Sequence, residues 1–169
     1  MSRSRQPLHI GIAVCVLVVW SAPAHPRAAS AAAHPPVASA FAADVIDLTN
    51  VERTQHQRHA LRANSRLMRA AQLHAEQMAR AGRMAHVLPN AAYPSAEDRL
   101  AAAEYRWRAY GENVAAGQTS AAEVLNDWMH SPGHRTNILS QDFTEMGAGY
   151  AVGRDGRAYH VQVFAGPLS

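Results

Sequence analysis

Apolar positions along the chain follow two periods. Phe41, Val45, Leu48 and Val51 recur at helical spacing, which predicts a first helix over about Ala42 to Gln57. A stronger pattern follows Asn64 and Ser65, either of which can cap a helix. Leu67, Met68, Ala71, Ala75, Met78 and Ala79 form one apolar face, and Gly82 stands where a left-handed C-terminal residue is expected. Met84 to Ser95 loses this period and carries Pro89, Asn90 and Pro94, so it reads as a loop. A short helix is predicted to start near Ser95 and to cover Asp98 to Ala103. Tyr105 to Tyr110 suits a short strand or an extended approach, and Gly111 to Gly117 reads as a connection. Ser120 and Glu123 have capping-box spacing ahead of a helix that buries Val124, Leu125 and Trp128. That helix must stop before Pro132, which disfavours helical geometry in the residue preceding it. His134 then opens a short turn into Asn137-Ile138-Leu139. Met146 to Val152 and Ala158 to Phe164 read as strands joined by a hairpin at Gly153 to Gly156. Helices first and a closing hairpin last predict an α+β layered domain.

The N-terminal pattern differs. Arg3 and Arg5 precede an uninterrupted apolar run, Ile10 to Trp20, and Ala22-Pro23-Ala24 is a small-x-small cleavage site. Residues 1–24 therefore read as an export signal, too short in its apolar part to span a bilayer. Residues 25–40 are rich in Ala, Pro, Ser and His and read as a flexible linker, with the folded domain over 41–167. The expected destination is extracellular or periplasmic, with no membrane span after cleavage. The single cysteine, Cys15, lies in the apolar run, so the exported part relies on its core without disulfides.

The formal charge of +3 falls to about +1 once Arg3 and Arg5 are removed. Near-neutral charge and the lack of a basic aromatic platform exclude nucleic acid as a partner. All 16 basic residues are Arg, which excludes lysine general bases and Schiff-base chemistry.

Three strings carry a resemblance. They are Gly111-Glu112-Asn113-Val114-Ala115, Trp128 through Ser131-Pro132-Gly133-His134-Arg135-Thr136-Asn137-Ile138-Leu139, and Phe143-Thr144-Glu145-Met146-Gly147-Ala148-Gly149-Tyr150. In this order, with the helix at Ala70 to Ala79, His86, and the closing Gln162-Val163-Phe164, the chain resembles the bacterial branch of the CAP superfamily. That superfamily groups cysteine-rich secretory, antigen 5 and pathogenesis-related 1 proteins. The resemblance implies a three-layer α-β-α sandwich with a central antiparallel sheet and a cleft holding two His and two acids. His86, Glu112 and His134 match three of the four positions. The fourth falls three residues past Trp128, on Ser131, so one acid is missing, and this weakens hydrolysis by paired carboxylates.

Each residue has two roles open to it. His134 is a cleft ligand or base, or a His that locks its turn. Glu112 orients an imidazole or binds a metal, or ties down its loop. Asn113 is expected to bond backbone. His86 alone would read as a surface residue, and the resemblance moves it into the cleft. His74 and Glu76 read as helical surface residues, His130 as solvent-facing and Trp128 as core. His86, Glu112 and His134 together also form a candidate set for Zn2+ or another divalent metal, with a position left for water. No G-x-S-x-G elbow occurs. The expectation is an exported protein whose cleft binds a small ligand, lipid, peptide or cell-envelope component. A metal-assisted hydrolase and a non-catalytic extracellular interaction module are the alternatives.

Overall fold

The structure is a computed structural model that describes residues 37–168. The export signal with Cys15, and residues 25–36 of the linker, lie outside the described residues. The elements are α1 (Val37–Gln55), β1 (Arg62–Ala63), α2 (Ser65–Ala81), α3 (Ala96–Ala102), β2 (Trp107–Ala116), α4 (Ala121–His130), α5 (Pro132–Leu139), β3 (Glu145–Val152) and β4 (Ala158–Pro167). Helix α1 takes in residues 37–40, which the composition assigns to the linker.

Local signals set the helix ends. The Asn64 side chain accepts from the backbone N–H groups of Arg66 and Leu67, and Gly82 closes α2 at φ 61°. Such an N-cap contributes about 1 kcal/mol. Ser95 and Asp98 form a reciprocal capping box at α3. At α4 only half of the box forms. Ser120 accepts from Glu123 N–H, while the Glu123 carboxylate turns back to Thr119.

The sheet has the order β1-β3-β4-β2. Its three long strands are antiparallel, and the two-residue β1 adds a parallel edge to β3. β4 alternates faces, as a strand must. Tyr159, Val161, Val163 and Ala165 pack with Leu67, Ala71, Ala75 and Met78 of α2 and Leu100 of α3. Phe164 packs on the other face with Val45 and Ile46 of α1, Val124 and Trp128 of α4, and Ile138 of α5. One core on each face makes the three-layer α-β-α sandwich.

Two differences from the sequence-based expectation bear on the site. Gly111 to Ala116 is strand interior, because β4 pairs with it residue by residue, including Glu112 with Val163 and Asn113 with Gln162. Its polar Gly-Glu-Asn start lacks the alternation that marks a strand. The segment after Pro132 is a two-turn helix and not a simple turn, with Pro132 at its first position, where the missing N–H costs nothing.

Helix α2 lies directly against β3. A Cβ on Gly147 would come within 2.2 Å of the Leu67 carbonyl carbon and the Met68 nitrogen, and one on Gly149 within 2.4 Å of the Ala71 backbone. The two glycines stand on one strand face and the two backbone contacts one helical turn apart. No side-chain movement relieves a clash with backbone. Gly149→Ala should therefore destabilise by at least the ~1–3 kcal/mol typical of overpacking. Gly133→Ala in α5 meets open space and should be neutral or stabilising by up to ~1 kcal/mol. Urea unfolding of both variants checks this. Equal stabilities would refute the close-approach account.

Candidate functional site

β2 is an edge strand, and α5 and the 83–95 segment approach it from opposite layers. Glu112 lies on this edge strand, with His86 on the 83–95 segment and His134 on α5. Gly111 has no room for a side chain, since a Cβ there would stand 2.9 Å from Asn137 Oδ1 and 3.0 Å from the Phe143 ring. This closeness lets α5 dock on β2. Asn137 Nδ2 donates to the Glu112 carbonyl (3.2 Å) and to Asn113 Oδ1 (2.9 Å). Asn113 Nδ2 donates to the His134 carbonyl (3.2 Å) and to Gln162 Oε1 (3.0 Å), and Gln162 Nε2 donates to Thr49 Oγ1 (2.7 Å). This buried polar chain joins α1, β4, β2 and α5. Trp128 Nε1 adds a bond to the Val114 carbonyl, so Asn113 and Trp128 have the structural roles expected of them.

Glu112 points the other way, toward α2. Its side chain is 5% exposed and carries three neighbours. Arg99 Nη2 donates to Oε2 at 2.8 Å, His86 Nδ1 lies 3.0 Å from Oε1, and His74 Nε2 lies 3.7 Å from Oε1. Burial pushes the Glu112 carboxyl up. The His86 hydrogen bond and the charges of Arg99 and, when protonated, His74 outweigh burial and hold it below its ordinary value. The same hydrogen bond raises His86. Arg99 is fully buried and also donates to the carbonyls of His86, Tyr93 and Pro94, so it fastens the 83–95 segment as well.

His134, on α5, is not among the side chains in contact with Glu112. Burial lowers its pKa, and a charge on His86 lowers it further, so the two rings lie within electrostatic reach. Its ring makes no described hydrogen bond. Ser131 caps α5 without a side-chain bond. Among the described residues no hydrogen bond joins it to His86, Glu112 or His134.

His74 is a correction. It is fully buried, not on the surface, and neither ring nitrogen has a hydrogen bond. Burial holds it neutral, against the pull of Glu112. The signal was present, because position 74 lies three and four residues from Ala71, Ala70 and Met78 on the apolar stripe. Arg99 was also missed, and nothing in its local sequence marks it. Glu76 and His130 sit at the surface as expected, with Glu76 half-buried beside Arg80.

The donor set does not fit a divalent cation as it stands. Both Glu112 oxygens are engaged, one of them by a guanidinium that already supplies the positive charge. Among the described residues no group of three or more His, Cys, Asp and Glu side chains is placed to hold a metal.

Residues 46–164 match the cysteine-rich secretory protein (CAP) family. The chain is 34% identical over 111 residues to the uncharacterized protein YkwD of Bacillus subtilis. Over 120 residues it is 31% identical to the uncharacterized membrane protein YlbC of the same organism. Those matches cover 66% and 71% of this chain, and it spans only 42% and 33% of the two relatives. In structure it is similar to an extracellular protein containing an SCP domain from Bacillus anthracis. The TM-score is 0.68 at 26% identity, over 76% of this chain and 41% of that one. An outer surface protein from Borrelia burgdorferi shares the fold at TM-score 0.66 and 18% identity, over 73% and 90% of the two chains. No helix among the described residues is long and apolar enough to cross a membrane.

Two outcomes are expected. Glu112→Ala leaves Arg99 buried without its counter-charge and should destabilise by about 3–5 kcal/mol, while the His86 pKa should fall below its ordinary value, since only burial and the Arg99 charge then act on it. Calorimetry and a histidine NMR titration check both. Stability should also fall on acidification below about pH 6.5. His74, His134 and His160 are all lowered, with burial as the largest cause. A lowered imidazole contributes stability that is complete above its unfolded pKa and lost as pH falls through its folded one. His86 has the opposite sign, stabilising below the unfolded value and losing this as pH rises through the raised one, but its ring is 57% exposed. The fully buried His74 and His160 therefore dominate. A melting temperature unchanged from neutral pH to about pH 5 would contradict the assignment.

Proposed function

The chain belongs to the cysteine-rich secretory protein family, and from that premise we propose that it is an exported binding protein whose ligand sits against His86 and His134. The observation that carries this reading is the engagement of Glu112. Its carboxylate faces Arg99 and His86 from within, so what the cleft offers a visitor is imidazole. His86 is more than half exposed and holds Nδ1 against Glu112, which leaves Nε2 for a ligand. When neutral, Nε2 accepts from an N–H or O–H group. When protonated, it donates to a carboxylate, and the raised pKa widens that range. The neutral His134 ring supplies one donor and one acceptor. Two such rings suit a peptide or cell-envelope fragment with amide and carboxylate groups. An acyl chain would leave them unsatisfied.

Among the described residues no Ser, Thr or Cys side chain is hydrogen-bonded to either imidazole, which favours binding over nucleophilic turnover. The Arg99–Glu112 pair argues against metal-assisted hydrolysis in the same place.

The test is a titration of the full chain with soluble cell-wall peptides, followed through the histidine ring signals. His86 and His134 should shift together, with the response lost in His86→Ala and no cleavage product formed. Accumulating product would replace binding with catalysis. In parallel, zinc calorimetry near about pH 7.5, where both imidazoles can be neutral, should give no stoichiometric site. One-site binding abolished by both His86→Ala and His134→Ala would reinstate the metal reading.

A further inference from the structure

Helix α5 has two working faces. His134, Asn137 and Ile138 look toward β2 and the core. Pro132, Arg135, Thr136 and Leu139, spaced as one helical face, instead line a separate cavity of about 570 Å³. Its other walls are Arg58, after the end of α1, Met129 and His130 at the end of α4, and Ser140 and Gln141 after α5.

The charge of this cavity is one-sided. Arg58 and Arg135 line it, and no acid does. Arg58 Nε is buried without any hydrogen-bond partner. Arg135 Nη2 is 3.0 Å from His56 Nε2, and His56 Nδ1 lies 2.8 Å from the Glu52 carbonyl and 3.7 Å from the Glu52 carboxylate. That contact fixes one edge of the guanidinium and leaves the rest free. Behind them Arg53 is 2% exposed and has no carboxylate partner either. It donates to the carbonyls of His59, Ile138 and Ser140 at 2.8, 2.6 and 2.9 Å. Carbonyls at the end of α5 thus account for Arg53. They do not account for Arg58 and Arg135.

From these observations we infer that the cavity is a binding site for a phosphate group. Two guanidinium groups lining one space suit a tetrahedral, multiply charged oxyanion, since a guanidinium can donate more than one N–H in a planar fork. The Ser140 hydroxyl accepts from Asp142 N–H and keeps its own proton to donate. Met129 and Leu139, both partly buried, provide apolar wall for whatever carries the phosphate. The volume lies in the range of small-ligand sites. This site is independent of the His86 cleft and stands or falls separately from it.

The test uses the full chain and two probes, inorganic phosphate and phosphatidylglycerol vesicles. Sodium chloride at matched ionic strength and phosphatidylcholine vesicles are their references. The Arg58 Nε–H resonance is the readout, with calorimetry alongside. Phosphate should shift that resonance, and Arg135→Gln should weaken binding by about tenfold or more. Arg154→Gln, on the exposed hairpin, should leave binding unchanged. Response to phosphate alone assigns a soluble phosphorylated ligand. Response to phosphatidylglycerol vesicles only, lost in Arg135→Gln, assigns a headgroup. Response to neither probe overturns the proposal, as does binding that Arg135→Gln leaves intact. Arg135 is exposed, so this variant decides the matter even where Arg58→Gln fails to fold.

Discussion

One buried ion pair organises the candidate site. A carboxylate in the interior costs several kcal/mol unless it is paired and hydrogen-bonded. Glu112 meets that condition through Arg99 on α3, 2.8 Å away. The same guanidinium holds the carbonyls of His86, Tyr93 and Pro94. The 83–95 segment has no ladder of its own, so Arg99 positions that segment while neutralising Glu112. His86 is therefore held twice, by its backbone through Arg99 and by its ring through Glu112.

The His134 side of the candidate site is held by neutral groups. Thr49, Gln162, Asn113 and Asn137 form a continuous buried relay from α1 to α5, and it ends on the His134 carbonyl. Such a network rigidifies its surroundings when its members are satisfied. His86 and His134 thus stand on different supports, one ionic and one amide-based. Helix α5 carries His134 and Asn137 on one face and lines the arginine-bearing cavity with another.

Close packing supplies the remaining constraint. Gly147 and Gly149 let the α2 backbone rest on β3, which brings His74 down to Glu112 through an otherwise apolar layer. Glu145 anchors the start of the same helix by accepting from Arg62, Asn64 and Tyr105. The Tyr105 hydroxyl is raised by its burial and by this carboxylate. The small residues of β3 and the polar anchor at the head of α2 place one layer, and through it His74 beside Glu112.

Much of this was legible in the residues alone. Asn64, Gly82 and Ser95 announce helix ends because caps act over three or four residues, and the β3–β4 hairpin shows its turn chemistry directly. His86, Glu112 and His134 were legible through strings that mark a family. The status of β2 was not, because Gly-Glu-Asn becomes strand only when β4 lies alongside. Nor were the partners of Glu112, since Arg99 lies 13 residues away and His86 lies 26. The burial of His74 was legible from its place on the apolar stripe of α2, but its meeting with Glu112 was not. The sequence by itself determined where helices begin and end, which faces are apolar and which family's residues are present. The tertiary structure alone decided which charges meet, because compensation of a buried charge depends on distance in space, and only the packed layers set that distance.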